Sequence, residues 1–229
     1  MSIALFWDID GTLLTTARAG VFSLEDALEQ VTGVRADLQG MATAGMTDYA
    51  IAEAALRSAG RGADEATVQE FLRVHGEQLP RYLGRKEGHV MPGVREVLED
   101  LEGRDGVANL LLTGNVEAGA RAKLAHYGLA EFFPDGGAFC VGPGERDEIA
   151  RRALPLARGA TDVYVIGDTP ADIACGKEIG ARTIAVATGS FSADELRSSG
   201  PWVVLERLPE PPAFAELVGV LPADTSLPA

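Results

Sequence analysis

The sequence predicts an α/β protein, in which a doubly wound, Rossmann-like parallel sheet carries an α-helical segment inserted after its first strand. Two observations indicate this fold. Short, continuous apolar runs alternate with helical periodicity from residue 92 onward, which is typical of parallel strands covered on both faces. The stretch 15–87, by contrast, shows helical periodicity and no convincing strand, so we expect it to form a cap domain of its own.

The predicted domains follow from this division. The α/β core combines residues 1–14 with 88–220, the helical cap takes 15–87, and a short tail takes 221–229. The elements predicted in the first part of the chain are a strand at 3–7 and helices at 17–38, 48–59 and 66–75, the last one continuing to about residue 82 despite Pro80.

Strands and helices alternate in the rest of the core. The predicted strands are 107–112, 138–142, 163–166, 183–187 and 202–205. The predicted helices are 94–101, 118–127, 145–157, 170–179 and 193–198. Glycines such as Gly128 and Gly180 follow two of these helices and are expected to end them.

The composition argues against several classes of partner. A net charge of −14 disfavours nucleic acids and anionic membrane surfaces. No stretch approaches the ~20 apolar residues of a membrane span, and the amino terminus lacks the basic segment of a signal peptide. Cys140 and Cys175 are isolated thiols without metal-ligand spacing, which favours a reducing compartment, and we expect a cytoplasmic protein.

The first strand ends in two closely spaced carboxylates, Asp8 and Asp10, followed by Gly11. Alternation along a strand places both carboxylates on one side, with Ile9 turned away. Like charges repel at this distance, and their pKa values are pushed apart unless a cation or hydrogen-bond donors compensate. We therefore expect this pair to serve chemistry that uses a cation.

Two further predicted strands also end in polar residues. Thr113 and Asn115 follow one strand, and Asp168 follows another. In doubly wound sheets, ligands bind beyond the carboxyl ends of the strands. Since the carboxyl ends of parallel strands lie at one edge, we expect these side chains to meet the carboxylates of Asp8 and Asp10 there.

Four motifs in this order resemble those of the haloacid dehalogenase-like hydrolases. They are Asp8-Ile9-Asp10-Gly11-Thr12, Leu112-Thr113-Gly114-Asn115, a basic residue on a later helix, and Gly167-Asp168-Thr169-Pro170-Ala171-Asp172. The helical insertion is similar to the cap of the phosphoglycolate phosphatase-like branch. The resemblance implies a Mg²⁺-dependent phosphatase that hydrolyses a small phosphorylated metabolite through an aspartyl-phosphate.

The resemblance also implies the catalytic pair. Asp8 would be the nucleophile that takes the phosphoryl group, and Asp10 the acid and base that protonates the leaving alcohol and then deprotonates water. The family's true dehalogenases carry a tyrosine at the second position. Asp10 therefore favours phosphate-ester chemistry.

Substrate binding is expected from the next two motifs. The Thr113 hydroxyl and the Gly114 N–H would hold phosphoryl oxygens, while Asn115 would either assist them or cap the following helix. Arg146 occupies the place of the family's basic residue, although a lysine followed by proline is commoner there. Lys123, on the helix after the second motif, is the alternative.

The metal site is expected from the carboxylates. By resemblance, Asp168 would bind Mg²⁺ together with Asp8 and the backbone carbonyl of Asp10. Asp172 is a further metal-site candidate. It also occupies the third position of a helix that begins after Thr169, where a capping role explains it equally well.

The cap offers weaker signals. Thr47 and Asp48 open a helix and either cap it or face the active site, and Arg18 is either a solvated charge or a contact for a second anionic group. His75 shows no metal-ligand spacing. Two other functions stay open: a sugar phosphomutase, and a phospho-aspartate switch without catalysis. The sequence does not predict an oligomeric state.

Overall fold

A computed structural model of the chain describes residues 2–102, 104–144 and 146–220. The strands are β1 (Ile3–Trp7), β2 (Leu14–Thr15), β3 (His89–Val90), β4 (Val107–Val116), β5 (Gly137–Cys140), β6 (Asp162–Gly167), β7 (Arg182–Val186) and β8 (Val203–Leu205). The helices are α1 (Ala19–Thr32), α2 (Asp48–Ser58), α3 (Glu65–Leu83), α4 (Val94–Glu102), α5 (Glu117–His126), α6 (Arg146–Ala153), α7 (Pro170–Glu178), α8 (Ala193–Ser198) and α9 (Pro211–Val218).

The predicted α/β fold is confirmed. Six strands form a parallel sheet in the order β5-β4-β1-β6-β7-β8, so β1 lies inside it between β4 and β6. The chain runs outward from β1 to β4 and β5, and then returns to the other side of β1 with β6. This order makes the end of β1 the topological switch point, where ligands of such sheets bind.

Strand β1 is buried on both faces. Leu5 and Trp7 pack with α4 and α9 on one face of the sheet, whereas Ala4 and Phe6 pack with α6 and the cap on the other. Continuing this alternation, Ile9 is fully buried in the first cluster. Asp8 and Ile9 therefore point to opposite sides, as the strand periodicity predicts.

The helical insertion lies between two short strands that the sequence analysis did not predict. β2 and β3 pair antiparallel, with Leu14 opposite Val90, and they close the two chain crossings between core and cap. Two residues are too few for an alternating pattern, so this ribbon leaves no periodic signal in the sequence. Helices α1, α2 and α3 all fall within the predicted cap, and α3 continues through Pro80 to Leu83.

The cap lies directly on the core. A Cβ added to Gly76 of α3 would lie 3.6 Å from the Cβ of Ala118 on α5, and one added to Gly114 would lie 2.5 Å from the carbonyl oxygen of Met46. Small residues at these positions allow cap and core backbones to approach closely. The strand end of β4 is consequently covered by the loop before α2.

Several boundaries differ from the prediction. Helix α1 begins only after Ala17 and Arg18, both with positive φ, and it ends at Gly33, whereas the sequence analysis extended it over 17–38. Helix α6 ends at Ala153 and is followed by a 3₁₀ turn. Helix α9 was not predicted, and the predicted tail 221–229 lies outside the described residues.

None of the helices in the described ranges combines the length and hydropathy that crossing a bilayer requires.

Candidate active site

The polar ends of the strands meet at one edge of the sheet, as expected. Asp8 follows β1, Asp168 follows β6, and Thr113 lies near the end of β4; all three are buried. Asp172, in the first turn of α7, is buried beside them. The sheet order thus brings three separate sequence motifs into one site.

The turn after β1 is shaped around Asp168. Gly11 has a φ of +88°, and a Cβ added to it would lie 2.4 Å from Oδ2 of Asp168. The Thr12 hydroxyl donates a hydrogen bond to the Asp168 carboxylate over 2.9 Å. The turn therefore requires glycine for both its backbone conformation and the space beside this carboxylate.

Three carboxylates gather beneath this turn. Oxygens of Asp8, Asp168 and Asp172 all lie within 4.8 Å of one another. Burial, together with the neighbouring carboxylates, raises the pKa of Asp8 to about 7 and that of Asp168 to about 8. Such a cluster is electrostatically unfavourable when ionised, and a divalent cation would relieve the repulsion.

The donors of this cluster fit Mg²⁺. Asp8 and Asp168 offer buried carboxylate oxygens, the ligand type that this hard cation prefers. The carboxylate of Asp10, in contrast, hydrogen-bonds Lys123 and Asn115. Any part that Asp10 plays in metal binding therefore rests on its backbone carbonyl, as the resemblance implies.

Asp172 has the capping role that the sequence left open and also contacts Arg146, while its role at the metal stays a prediction. It forms a capping box with Thr169: the Asp172 carboxylate accepts the Thr169 N–H over 3.0 Å, and the Thr169 side chain accepts the N–H of Asp172. Its other carboxylate oxygen accepts a hydrogen bond from Arg146. The capping interpretation is confirmed, and Asp172 also orients the arginine of the site.

Arg146 supplies positive charge next to Asp8. It is buried at the start of α6, and its guanidinium donates to Oδ1 of Asp8 over 3.1 Å as well as to Asp172. Its Nε has no hydrogen-bond partner within the described part of the chain. Although burial opposes the charge, the carboxylates of Asp172 and Asp8 raise the pKa of Arg146, so the guanidinium stays protonated.

Lys123, the alternative to Arg146, is in the site as well. Its ammonium is buried and donates to Oδ2 of Asp10 and to Oδ1 of Asn115. Desolvation raises the pKa of Asp10, but the charge and hydrogen bond of Lys123, the hydrogen bond of Asn115 and the charge of Arg146 together outweigh it, so that pKa lies below its usual value. Each of the two basic residues thus holds a different aspartate, Arg146 with Asp8 and Lys123 with Asp10.

Asn115 belongs to this network and does not cap α5. Its amide donates to Oδ2 of Asp10 and to the Thr113 hydroxyl, both over 2.9 Å. The cap contacts the chain just before α5, because Oδ2 of Asp48 accepts the N–H of Val116, the last residue of β4, over 2.7 Å. Burial raises the pKa of Asp48 to about 6.

A cavity of about 630 Å³ opens between this edge and the cap. The core contributes Asp8, Asp10, Asn115 and other charged or polar groups to it. The cap side combines apolar side chains with charged or polar ones, which are Thr15, Thr16, Arg18, Thr43, Asp48 and His75. Its apolar side chains are Val21, Leu24, Met41, Met46 and Ile51.

Some residues of the site were missed in the sequence. The loop after β7 closes the cavity: the Thr188 hydroxyl donates to the carbonyl of Gly11 over 2.7 Å, and a Cβ at Gly189 would lie 1.7 Å from Oδ2 of Asp168. The strand-end rule that found Asp168 applies equally to β7 and would have found this loop. Asp48 lines the cavity, which is one of the two alternatives that the sequence left open for it, and Thr47 caps α2 by accepting the N–H of Ala50.

Comparisons with known proteins agree with the motifs. The family model described as haloacid dehalogenase-like hydrolase matches residues 5–177, and a second, hydrolase-like model of the same kind matches residues 146–211. The chain is 28% identical over 224 residues to "Probable phosphatase IndB" of Dickeya dadantii (strain 3937), and the match covers 96% of this chain and 93% of that protein.

Solved structures show the same fold. A predicted phosphoglycolate phosphatase from Haemophilus somnus 129PT has a TM-score of 0.69 and 20% identity, covering 95% of this chain and 96% of that one. CbbY from Rhodobacter sphaeroides in complex with phosphate has a TM-score of 0.70 and 19% identity, covering 90% of this chain and 95% of that one. At these identities, the likeness concerns the fold alone.

Proposed function

The chain belongs to the haloacid dehalogenase-like hydrolase family, and from this premise we propose that it is a Mg²⁺-dependent phosphatase acting on a small phosphorylated metabolite. The observation that carries the proposal is the buried carboxylate cluster around Asp8, with Arg146 hydrogen-bonded to the same carboxylate. A cation site and a fixed guanidinium beside one carboxylate provide the positive charge that an anionic phosphate requires in a chain of net charge −14.

In the first step, Asp8 is the nucleophile. A carboxylate oxygen of Asp8 forms a bond to phosphorus while the bond from phosphorus to the leaving oxygen breaks, which yields an aspartyl-phosphate and an alcohol. Arg146 binds the phosphoryl oxygens, because its unpartnered Nε lies in the same buried site. The Thr113 hydroxyl and the Gly114 N–H, at the end of β4, bind the phosphoryl oxygens from the other side.

Asp10 acts as the general acid and base. It gives a proton to the leaving oxygen in the first step and takes one from the attacking water in the second, when the bond between Asp8 and phosphorus breaks and phosphate leaves. Lys123, Asn115 and Arg146 together lower the pKa of Asp10, but the negative charge of a bound phosphate acts in the opposite direction and favours the protonated acid. Lys123 and Asn115 also hold this carboxylate in place.

Asp8, Asp168 and the carbonyl of Asp10 would hold the metal, with Asp172 beside them. Bound Mg²⁺ supplies positive charge to the phosphoryl oxygens and supports the negatively charged nucleophile in approaching them. The cap closes the cavity above this edge and restricts water, which favours transfer to Asp8 over side reactions.

The test is a screen of phosphorylated metabolites and p-nitrophenyl phosphate, with Mg²⁺ and with chelator. We expect turnover that depends on Mg²⁺ and falls at least ~10⁴-fold in Asp8→Asn, since loss of a nucleophile removes the covalent step. The same substitution at the exposed Asp135 is the matched control and should keep wild-type turnover.

Product analysis separates the alternatives. Release of inorganic phosphate supports the phosphatase, formation of an isomeric sugar phosphate would indicate a mutase, and a stable phospho-Asp8 without release would indicate a switch. Wild-type turnover in Asp8→Asn would contradict the mechanism altogether.

A further inference from the structure

His75 is a buried polar side chain of the cap for which the mechanism above has no use. It lies in the middle of α3, is 4% exposed, and lines the cavity. Its Nδ1 has no hydrogen-bond partner among the described residues. A buried polar atom of this kind costs free energy, and a native structure rarely leaves one without a partner. Because the residue also lines the cavity, a ligand bound there lies beside this side chain.

The backbone of His75 is held firmly in place. Ser23 of α1, which is fully buried, donates its hydroxyl hydrogen to the carbonyl oxygen of His75 over 2.9 Å. The next residue, Gly76, lies against Ala118 of α5, so that α3 rests on the core helix that carries Lys123. These contacts fix both the register and the height of α3 above the site.

The imidazole is uncharged. Burial and the nearby ammonium of Lys123 lower the pKa of His75 to about 3, against a smaller opposite influence of Asp10. A neutral imidazole has one N–H donor and one acceptor nitrogen. It therefore suits a hydroxyl group, which can both accept and donate, and offers no charge to a carboxylate.

The surroundings of His75 also disfavour an anionic leaving group. The carboxylates of Asp10 and Asp48 line the same part of the cavity, and Lys123 is already engaged by Asp10. Arg18 donates to the side chain and backbone of Gln39 in an exposed position. Besides these groups and the hydroxyls of Thr15, Thr16 and Thr43, the cap wall is mainly apolar, and on such a wall a few polar groups set the orientation of a ligand.

We propose that His75 contacts the substrate and selects phosphate esters whose leaving alcohol carries an uncharged hydroxyl, as polyol and sugar phosphates do. The proposal rests on the proposed phosphatase function. It assigns the cap side of the cavity, where His75 lies, to the binding of the leaving alcohol. Its prediction is a preference for hydroxylated alcohols over alkyl alcohols of the same length.

The experiment compares glycerol 1-phosphate with n-propyl phosphate, which share a three-carbon chain. The measured quantity is the ratio of their kcat/KM values in the presence of Mg²⁺. We expect the wild type to prefer glycerol 1-phosphate and His75→Leu to lower the ratio about tenfold, because the hydroxyl then meets no partner. His75→Asn keeps a donor and an acceptor and should retain part of the preference. His126→Leu, at an exposed histidine of α5, is the matched control and should keep the wild-type ratio.

The ratio isolates the contact from folding, since a loss of folded protein lowers both rates together. An unchanged ratio in His75→Leu overturns the proposal, as does a wild type without preference or one that hydrolyses p-nitrophenyl phosphate and neither probe. If p-nitrophenyl phosphate is not hydrolysed either, the proposed function itself fails.

Discussion

At the core edge, oxygens of Asp8, Asp168 and Asp172 lie within 4.8 Å of one another, and Arg146 pairs with two of these carboxylates. The cap, in contrast, presents Asp48 and His75 on separate helices. The core groups are mutually dependent, because each buried charge there is offset by its neighbours. Asp48 and His75, in contrast, lie on different cap helices and make no hydrogen bond to each other.

This difference suggests a division of labour. A charged network tolerates few changes, since removing one member leaves another buried charge uncompensated. A single polar group on an apolar wall can be exchanged at smaller cost. We therefore expect substitutions at the core edge to abolish activity or destabilise the protein, and substitutions in the cap to change selectivity or closure by modest factors.

The largest expected effect tests the core half of this comparison. Asp10→Asn removes the proton donor, and kcat/KM for an alkyl phosphate should fall ~10²–10⁴-fold. The loss should be smaller for p-nitrophenyl phosphate, because nitrophenolate leaves without a proton. The later role of Asp10 as a base does not affect this comparison, since kcat/KM reports only the steps up to phosphoryl transfer. Steady-state kinetics on both substrates measures this difference, with Asp135→Asn as control. Equal losses on both substrates would contradict the role of Asp10 as acid.

The second test compares one glycine from each region. Gly11→Ala forces a side chain into a φ of +88° and against the Asp168 carboxylate, whereas Gly33→Ala, at the end of α1, meets a φ of +69° but open space. We expect Gly33→Ala to lower the free energy of unfolding by about 1–2 kcal/mol. Gly11→Ala adds the steric term and should cost about 2–5 kcal/mol. Urea unfolding measures both, and similar costs would show that the core edge is less constrained than its geometry indicates.

The smallest effect concerns the contact between cap and core. Asp48→Ala removes the acceptor for the Val116 N–H at the end of β4, which should destabilise the protein by about 1 kcal/mol, the usual net worth of a hydrogen bond. Asp48→Asn keeps an acceptor oxygen and should cost less. Thermal unfolding checks the order of the two variants, and an equal loss would show that the negative charge, and not the hydrogen bond, carries the contact.

The pH dependence of this contact sharpens the test. Burial raises the pKa of Asp48 from 3.8 to about 6, and the charge of Asp10 adds to this increase, whereas the charges of Lys123 and Arg146 oppose it. As the pH rises, Asp48 therefore loses its proton in the unfolded protein before it does so in the folded protein. The contribution of Asp48 to stability is therefore present in full below about pH 4 and declines up to about pH 6. The stability of the wild type relative to Asp48→Asn should fall between about pH 4 and pH 6 and then level off, and a rise over this window would contradict the assignment.

The core half of the site was largely predictable from the sequence. Asp8, Thr113 and Asp168 each follow an apolar run, and the rule that parallel strands end at one edge brings them together without knowledge of any contact. Arg146 was found by its place between motifs, and Lys123 as its alternative. The sequence left open which of these two basic residues pairs with Asp8 and which with Asp10. The direction of a long side chain depends on the packing of its helix, here α5 or α6. The catalytic and metal roles of these residues stay predictions.

The cap half was not predictable, for a physical reason. The apolar periodicity of α1 to α3 indicates helices and their buried faces, yet many packings satisfy such faces equally well. Asp48 accepts a backbone N–H that lies 68 residues further along the chain. His75 lines the cavity only because the contacts of Ser23 and Gly76 set the position of α3. No local pattern encodes contacts of this range.

By itself, the sequence determined the sheet, the inserted helices, the family and the carboxylates at the strand ends, since all of these follow from short-range periodicity and from motifs a few residues long. Only the tertiary structure decided which cation pairs with which aspartate, that a carboxylate of the cap accepts a backbone N–H at the end of β4, and that an uncharged histidine lines the cavity. Those outcomes depend on how whole helices pack, and packing is settled by many distant contacts together.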